Sequence, residues 1–315
     1  MIDHDAYLYI RQVEIHNANG ISSPITYGFP AVTGFLGACH ALERKIPFEV
    51  NLDFCGVLIA CHECRIKRYR PHRYSDYTLN QSRNPIKKDG KTASIIEEGK
   101  TDLTVSFVIP LHYEDDDDED WLTDNTDTFT DWVKKTLYCQ PMAGGSVFSV
   151  GSVDIIQPEN LDYLKASLAP AFVLMEAKKD LIDITETLQK THADATALDA
   201  LLEVAMLHHI PERNVPEEKR PEKDKNSKTE WTVRNIKQGR GWLVPMPVGY
   251  QSISPLFDPG TMEECRTGDY PSQFVETLYG LGKWVFPYSL TSLSHAFWSM
   301  NTDDEGLYLI QQTEQ

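Results

Sequence analysis

The chain has 315 residues, 41% of them hydrophobic, and a formal net charge of −17, which is enough to bury a sizeable core in one large domain or two. No apolar run reaches membrane-spanning length and the first residues are not a secretory signal, so a cytoplasmic protein with no membrane contact is expected. The acidic balance excludes a generic nucleic-acid binder, and six cysteines are too sparse for a disulfide framework, so buried reduced thiols are expected.

The average conceals an asymmetry. Between residues 65 and 101, ten Lys and Arg stand against four acids, a net +6 that leaves −23 for the rest. Such a distribution confines polyanion contact to one face.

Tyr7, Tyr9, Ile10, Val13 and Ile15 carry strand signals. The stretch 17–30 (NANGISSPITYGFP) follows. It offers Asn17, Asn19, Ser22, Ser23 and Thr26 to phosphate or sugar oxygens and the Tyr27 ring to a base. It reads as a ligand-cradling loop, and it equally suits a long capped turn. Val32, Phe35, Leu36 and Cys39 then fall at helical spacing, with Pro30 expected in the first turn beside N–H groups that attract anions. Residues 48–66 suit a buried strand with a turn at Gly56.

That strand runs into Arg65, Lys67, Arg68, Arg70 and Arg73, interleaved with Tyr69 and Tyr74, a mixture that fits phosphate contact with stacking as well as a solvated strand face. Residues 77–108 read as a projecting hairpin. Its tip lies at Lys87, Lys88, Asp89, Gly90 and Lys91, because Asp-Gly favours tight turns. Arg83 and Asn84 lie just before the tip. Leu103, Val105 and Phe107 alternate as in a half-buried strand.

The acidic run 114–120 reads as a solvated loop without the EF-hand spacing, and 121–138 as a helix with Phe129, Trp132, Val133 and Leu137 on one side. Gly144 and Gly145 make a tight turn that also permits close approach of a ligand. From 163 onward the pattern is helical, with stripes at Leu181, Ile184, Leu188 and at Leu198, Leu201, Leu202, Ala205, Met206, His209, capped by Thr196 and Asp199. Residues 211–230 read as a mobile charged loop. Residues 231–257 read as irregular, edge-like strand, 274–297 as helical through Leu278, Leu281, Leu290, Leu293 and Phe297, and 307–310 as a strand closing a sheet.

Enzyme signatures fail. The two Gly-Lys-Thr triplets lack the first P-loop glycine, and no G-x-S-x-G, G-x-G-x-x-G or H-E-x-x-H occurs. Cys61 and Cys64 form half a zinc pattern with no second pair, and a regular strand points them to opposite faces. No cofactor or metal is expected. His40, on the apolar stripe, reads as a core residue, while His62 and His72 are the other candidates for acid–base work.

The opening stretch with 33–42 (TGFLGACHAL) resembles the start of the second Csy subunit of type I-F CRISPR surveillance complexes, the Cas five-type tail protein. The similarity continues through TLNQSRNP (78–85), DGKTASIIEEG (89–99), AGGS (143–146), GWLVPMPVGY (241–250), SPL (254–256) and FVETLYGLGKW (274–284), in family order over nearly the whole chain. The acidic run and the 211–230 insert lie outside it.

The resemblance implies an α+β fold with an RRM-like, ferredoxin-type core over 1–160. An inserted β-hairpin thumb spans about 74–108, a helical segment 161–210, and C-terminal elements over 231–315 complete the same domain. It further implies a non-enzymatic role, with no catalytic residue: gripping the 5′ handle of the CRISPR RNA, pairing with the large Csy subunit, abutting a backbone subunit, and meeting target DNA through the complex. The RNA contacts are expected from the opening loop, the basic strand and hairpin, amides such as Asn84, and Gly144 and Gly145. The alternative is a metal-independent endoribonuclease that matures the RNA with a histidine such as His40 or His72.

Overall fold

In a computed structural model, which describes residues 4–211, 231–265, 267–303 and 306–312, the opening strand signals extend into one long strand, β1 (Ala6–Asn19). It is followed by a small hairpin of β2 (Ile21–Ser23) and β3 (Thr26–Tyr27), then α1 (Val32–Glu43), β4 (Leu52–Phe54), β5 (Leu58–Ile66), β6 (Arg68–Tyr69), β7 (Thr78–Arg83), β8 (Ile95–Glu98) and β9 (Lys100–Tyr113). Next come α2 (Asp116–Asp124), α3 (Thr126–Tyr138), β10 (Pro141–Met142), β11 (Gly145–Val150), β12 (Val153–Ile156), α4 (Leu164–Leu168), β13 (Phe172–Glu176), α5 (Lys178–Gln189) and α6 (Ala197–Ala205). The chain ends with β14 (His208–Pro211), β15 (Trp231–Arg234), β16 (Trp242–Ser252), β17 (Val275–Val285), β18 (Trp298–Thr302) and β19 (Leu307–Gln312). Apart from Pro211, the segment expected to be a mobile loop lies outside the described residues.

The fold is α+β. Among the described residues one 12-stranded sheet runs in the order β10-β11-β1-β9-β5-β13-β17-β16-β19-β18, with β12 beside β1 and β4 beside β9. The first half follows β1–α1–β5–β9–α3–β11 along the chain and β11-β1-β9-β5 in space, with antiparallel neighbours. Helices α1 and α3 cover one face through Phe35, Leu36, Phe129 and Val133 against Leu8, Ile10, Val105 and Phe107. On the other face Tyr7, Tyr9 and Val108 lie under Leu161, Leu164, Leu168 and Phe297. β9 therefore alternates only at its start; from Val105 to Leu111 both faces are buried, against the half-buried expectation.

The second half curls back. Trp298 is fully buried and its backbone exchanges hydrogen bonds with Val57 just ahead of β5, while its Nε1 donates to the Leu174 carbonyl at 2.9 Å. Helices α5 and α6 pack on β16 and β17 through Ile184, Leu201, Val204, Leu243 and Leu281. The cap at Thr196 forms as expected, a reciprocal box with Asp199, of the kind that contributes about 1 kcal/mol.

Several expectations are corrected. Asn17 and Asn19 belong to β1, so the loop begins only at Gly20. Pro30 precedes the N-cap Ala31 and is not in the first turn of α1. The acidic run is not a loop: Asp115 caps the Asp118 N–H and α2 begins inside it, since carboxylates at a helix N-terminus complement the dipole. The helix expected over 121–138 breaks at Asn125. The segment read as wholly helical holds β13, and His209 lies in β14 rather than on α6. The helix expected around 274–297 is β17 followed by short 3-10 turns. β16 is not an edge strand along its whole length, because β17 flanks it throughout and β19 covers 249–251; Pro245 and Pro247 sit where only β17 is paired.

Candidate nucleic-acid interface

β7 and β8 pair antiparallel and, with β6, form a small sheet apart from the main one. The tip closes as Asp-Gly requires, with Gly90 at φ 78 and its N–H donating to the Lys87 carbonyl at 2.9 Å. Arg83, Asn84, Lys87, Lys88 and Lys91 are exposed along this thumb. At its base the Arg68 and Arg70 guanidinium groups lie 4.1 and 4.6 Å from the centroid of one ring, Tyr77, and Arg73 lies 6.0 Å from Tyr74. Gathering two cations on one exposed ring concentrates like charge, which costs energy unless an anion joins them.

The root of the thumb is fixed by β1. Two bulges interrupt that strand, each with a residue at positive φ, Gln12 and Asn17, and each freed N–H is taken by a β9 side chain. Gln12 N–H donates to Ser106 Oγ at 2.9 Å, and Asn17 N–H to Asp102 Oδ1 at 3.0 Å. Asp102 also holds Lys67 at 2.9 Å and Arg65 at 3.1 Å, while Lys67 Nζ donates to Asn17 Oδ1 at 2.6 Å. Burial alone would raise the Asp102 pKa, but the Asn17 N–H and the two cations together hold it below the usual value. Asn17, Arg65 and Lys67 thus form one cluster at the thumb root.

Asn19 lies elsewhere. Its N–H donates to the Ala143 carbonyl at 2.8 Å and its Oδ1 accepts from Ile21 N–H at 3.2 Å, and the residue lines a groove of about 480 Å³. The floor is the bare side of α1, Gly34, Gly37, Ala38 and Ala41; Asn19, Ser22, Gly144 and Tyr250 stand along it, with Lys45 and Gln140 at one end. Gln140 is buried, its Nε2 donating to the Ala38 carbonyl and its Oε1 accepting from Lys45 Nζ. The N-cap of α1 makes no side-chain hydrogen bond and its first turn has no acid, so no internal anion offsets the positive end of the helix dipole beside Thr33. Sequence reasoning passed over Gly37, Ala38, Ala41, Lys45 and Gln140. The signal was there: Gly34, Gly37, Ala38 and Ala41 recur at the same helical spacing as the apolar stripe, on the opposite side.

The structure does not gather every expected residue here. Ser23 is buried, and its Oγ accepts from the Ile25 and Thr26 N–H groups, while Ser22 and Thr26 share a hydroxyl contact at 2.7 Å. These hydroxyls shape the β2–β3 hairpin. Gly145 is buried in the ladder, where a Cβ would lie 2.7 Å from Ala18 N; its glycine serves the approach of β1. Gly144, at φ 76, is exposed and does reach the groove.

Across the hairpin from the groove, a cleft of about 460 Å³ is walled by Phe29, Phe172, Trp242, Met246 and Trp284, with Tyr27 at its mouth. Cys61 and Cys64 also line it. The alternation expected of them is cancelled by a bulge between Cys61 and Glu63, so they sit opposite Val105 and Leu103 on one face. Burial pushes the Cys61 thiol up to about 12. All six cysteines are free, but Cys64, Cys139 and Cys265 are exposed, contrary to the expectation of buried thiols. His40, His62 and His72 stand on α1, on β5 and in the turn after β6. His62 Nε2 contacts Ser106 Oγ at 2.8 Å, and burial with the neighbouring Arg11 lowers its pKa. His40 is half-buried at the margin of the stripe.

Fold and surface together describe an α+β protein built on one extended antiparallel sheet, with a projecting basic arm beside a groove of small residues. The profile of the family described as CRISPR-associated protein (Cas_Csy2) matches residues 8–310. The chain is 34% identical over 322 residues, 97% of this chain and 95% of the relative, to the CRISPR-associated protein Csy2 of Pseudomonas aeruginosa (strain UCBPP-PA14). The chain belongs to the CRISPR-associated Csy2 family, as the resemblance in its sequence implied. Among the described residues no helix is long and apolar enough to cross a membrane.

Proposed function

We propose that this chain is the CRISPR RNA-holding tail subunit of a type I-F surveillance complex, binding the 5′ handle, pairing with the large Csy subunit and abutting a backbone subunit, without catalysis of its own. The observation that carries the reading is the groove. It joins Asn19 and Ser22 from one expected stretch to Gly144 from another, over an uncapped helix start with Lys45 at its far end. The positive end of a helix dipole approached past small side chains, with amides and one cation, suits the phosphates and sugars of a single strand.

The order β11-β1-β9-β5 with α1 and α3 on one face supports the reading of a ferredoxin-type, RRM-like core. An ordinary RRM stacks bases on the opposite face. Here Leu161, Leu164, Leu168 and Phe297 occupy much of that face, which favours the helix side for RNA. The thumb, with Arg68, Arg70, Arg83, Lys87, Lys88 and Lys91, then extends the track away from the groove. Its exposed cations favour phosphate contact over base reading.

Crosslinking of the complex reconstituted on its guide RNA tests the reading. Crosslinks are expected in peptides containing 19–45, 65–91 and 140–145, and their confinement elsewhere overturns it. Incubation of the pure chain with repeat RNA without metal should leave the RNA intact; a discrete cut that His72→Gln abolishes would instead favour the nuclease.

A further inference from the structure

The aromatic cleft has no part in the groove's chemistry, and folding alone does not account for its mouth. Trp242 is 57% exposed and Tyr27 68% exposed. Below them Phe29 meets Trp284 edge to face at 4.9 Å, Phe172 meets Trp242 at 5.6 Å, and Trp242 meets Trp284 at 6.4 Å. Large rings left with open faces around an apolar hollow mark a place for another flat or apolar group. The volume of about 460 Å³ lies inside the range of roughly 300–1,000 Å³ typical of small-molecule sites.

We propose that the cleft receives one unstacked nucleobase from the same single-stranded RNA whose backbone occupies the groove, an inference that rests on the handle reading above. Two observations select a base over an apolar side chain of a protein partner. Ser22 and Pro30 line both the groove and the cleft, so a strand held in one lies next to the other. The rim is polar on the hairpin side, where Ser22 and Thr26 border a lining made mainly of rings and aliphatic side chains. That is the make-up of a site that stacks a base and reads its edge.

The test uses the full chain, alone and in the reconstituted complex, with handle RNAs in which each nucleotide in turn is made abasic. One abasic position should lower affinity by about five- to a hundred-fold, the range that base–aromatic stacking supports. Trp242→Ala should lower affinity for intact RNA by a similar factor and add nothing for that abasic RNA, while Trp242→Phe retains most of the binding. Alkylation of Cys64, an exposed residue on the cleft wall, should be slowed by intact RNA and not by the abasic form.

If Trp242→Ala and every abasic position are neutral while filling the groove through Gly37→Leu still abolishes binding, the cleft assignment is overturned and the groove reading stands. The cleft would then take a partner's side chain or remain unfilled. If the chain binds no RNA in either setting, both readings fall.

Discussion

The groove and the cleft flank the same two-stranded hairpin and share Ser22 and Pro30, yet their linings are opposite in kind. The groove is floored by glycine and alanine on α1 and exposes backbone; the cleft is walled by aromatic rings and a methionine and hides it. Small residues let a ligand approach the positive end of a helix dipole, which attracts phosphates without regard to sequence, whereas rings and a polar rim can distinguish one base from another. On the proposed reading, grip and base reading fall on two sides of a hairpin whose own hydroxyls, Ser22, Ser23 and Thr26, bind one another.

The comparison breaks most sharply at Gly37 and Gly34. A Cβ at Gly37 meets nothing within 4 Å, whereas one at Gly34 lies 3.1 Å from Ala143 Cα. Gly37→Leu should therefore fill the groove and lower RNA affinity by about a hundred-fold, while raising stability by roughly 0.5 kcal/mol because glycine is a poor helix former. Gly34→Ala should do the reverse, costing about 1–3 kcal/mol of stability through overpacking. Anisotropy titrations and thermal melts on the two variants check this, and unchanged RNA affinity in a folded Gly37→Leu protein would remove the groove from the interface.

The thumb should matter less for a short handle. Changing Arg83, Lys87, Lys88 and Lys91 together to Ala should weaken binding by about ten-fold. It should also flatten the salt dependence by ~0.7 in slope for each phosphate that the thumb no longer neutralises. An unaltered slope would make the thumb a protein-contact arm, leaving the groove and cleft to hold the RNA alone.

Much of this architecture was legible where one local rule dominates. The α1 stripe, the Asp-Gly thumb tip and the Thr196 capping box each follow from spacing over a few residues. The misreadings arise where tertiary burial is two-sided. In β17, Leu278 packs against one side of the sheet, while Tyr279 and Leu281 pack on the other under α5 and α6. Apolar residues on both faces of a strand mimic helical spacing. β13 is only five residues long between helices, and the proline turn that announces it, at Pro170, is easily read as part of a helical stretch. The site was half legible: polar and basic residues announced themselves, but the groove floor is made of residues with nothing to offer except their size. The cleft draws Phe29, Phe172, Trp242 and Trp284 from four separated stretches, which only the closing of the sheet brings together.

Asn17 and Asn19, two residues apart, should respond differently. Asn19→Asp keeps the acceptor for Ile21 N–H but replaces the amide donor with a negative charge, so RNA affinity should drop by about five-fold or more with the melting temperature unchanged. Asn17 sits at φ 58, a region that penalises alanine; Asn17→Ala should cost about 1 kcal/mol of stability, and Asn17→Gly should recover most of it. Loss of handle discrimination by Asn17→Gly in a stable protein would move the thumb root into the reading site.

The smallest effect expected concerns Asp102, which ties the thumb root to the body. Its pKa is depressed in the fold: burial pushes it up, but the Asn17 N–H and the Lys67 and Arg65 cations outweigh that. A depressed carboxylate stabilises the folded state at pH values above its ordinary pKa of 3.8. That contribution is lost as the pH falls through the lower folded value, because the unfolded chain takes up its proton first. Asp102→Asn should therefore lower stability near neutrality and flatten the acid limb of a stability–pH curve measured by denaturant unfolding. The same change keeps an oxygen to accept from the Asn17 N–H while releasing Arg65 and Lys67 from a competing anion, so RNA affinity at low salt should rise by about two-fold, an effect screened as salt increases. A fall in affinity instead would show that Asp102 holds the two cations in the arrangement the RNA requires, making the thumb root part of the grip rather than only its hinge.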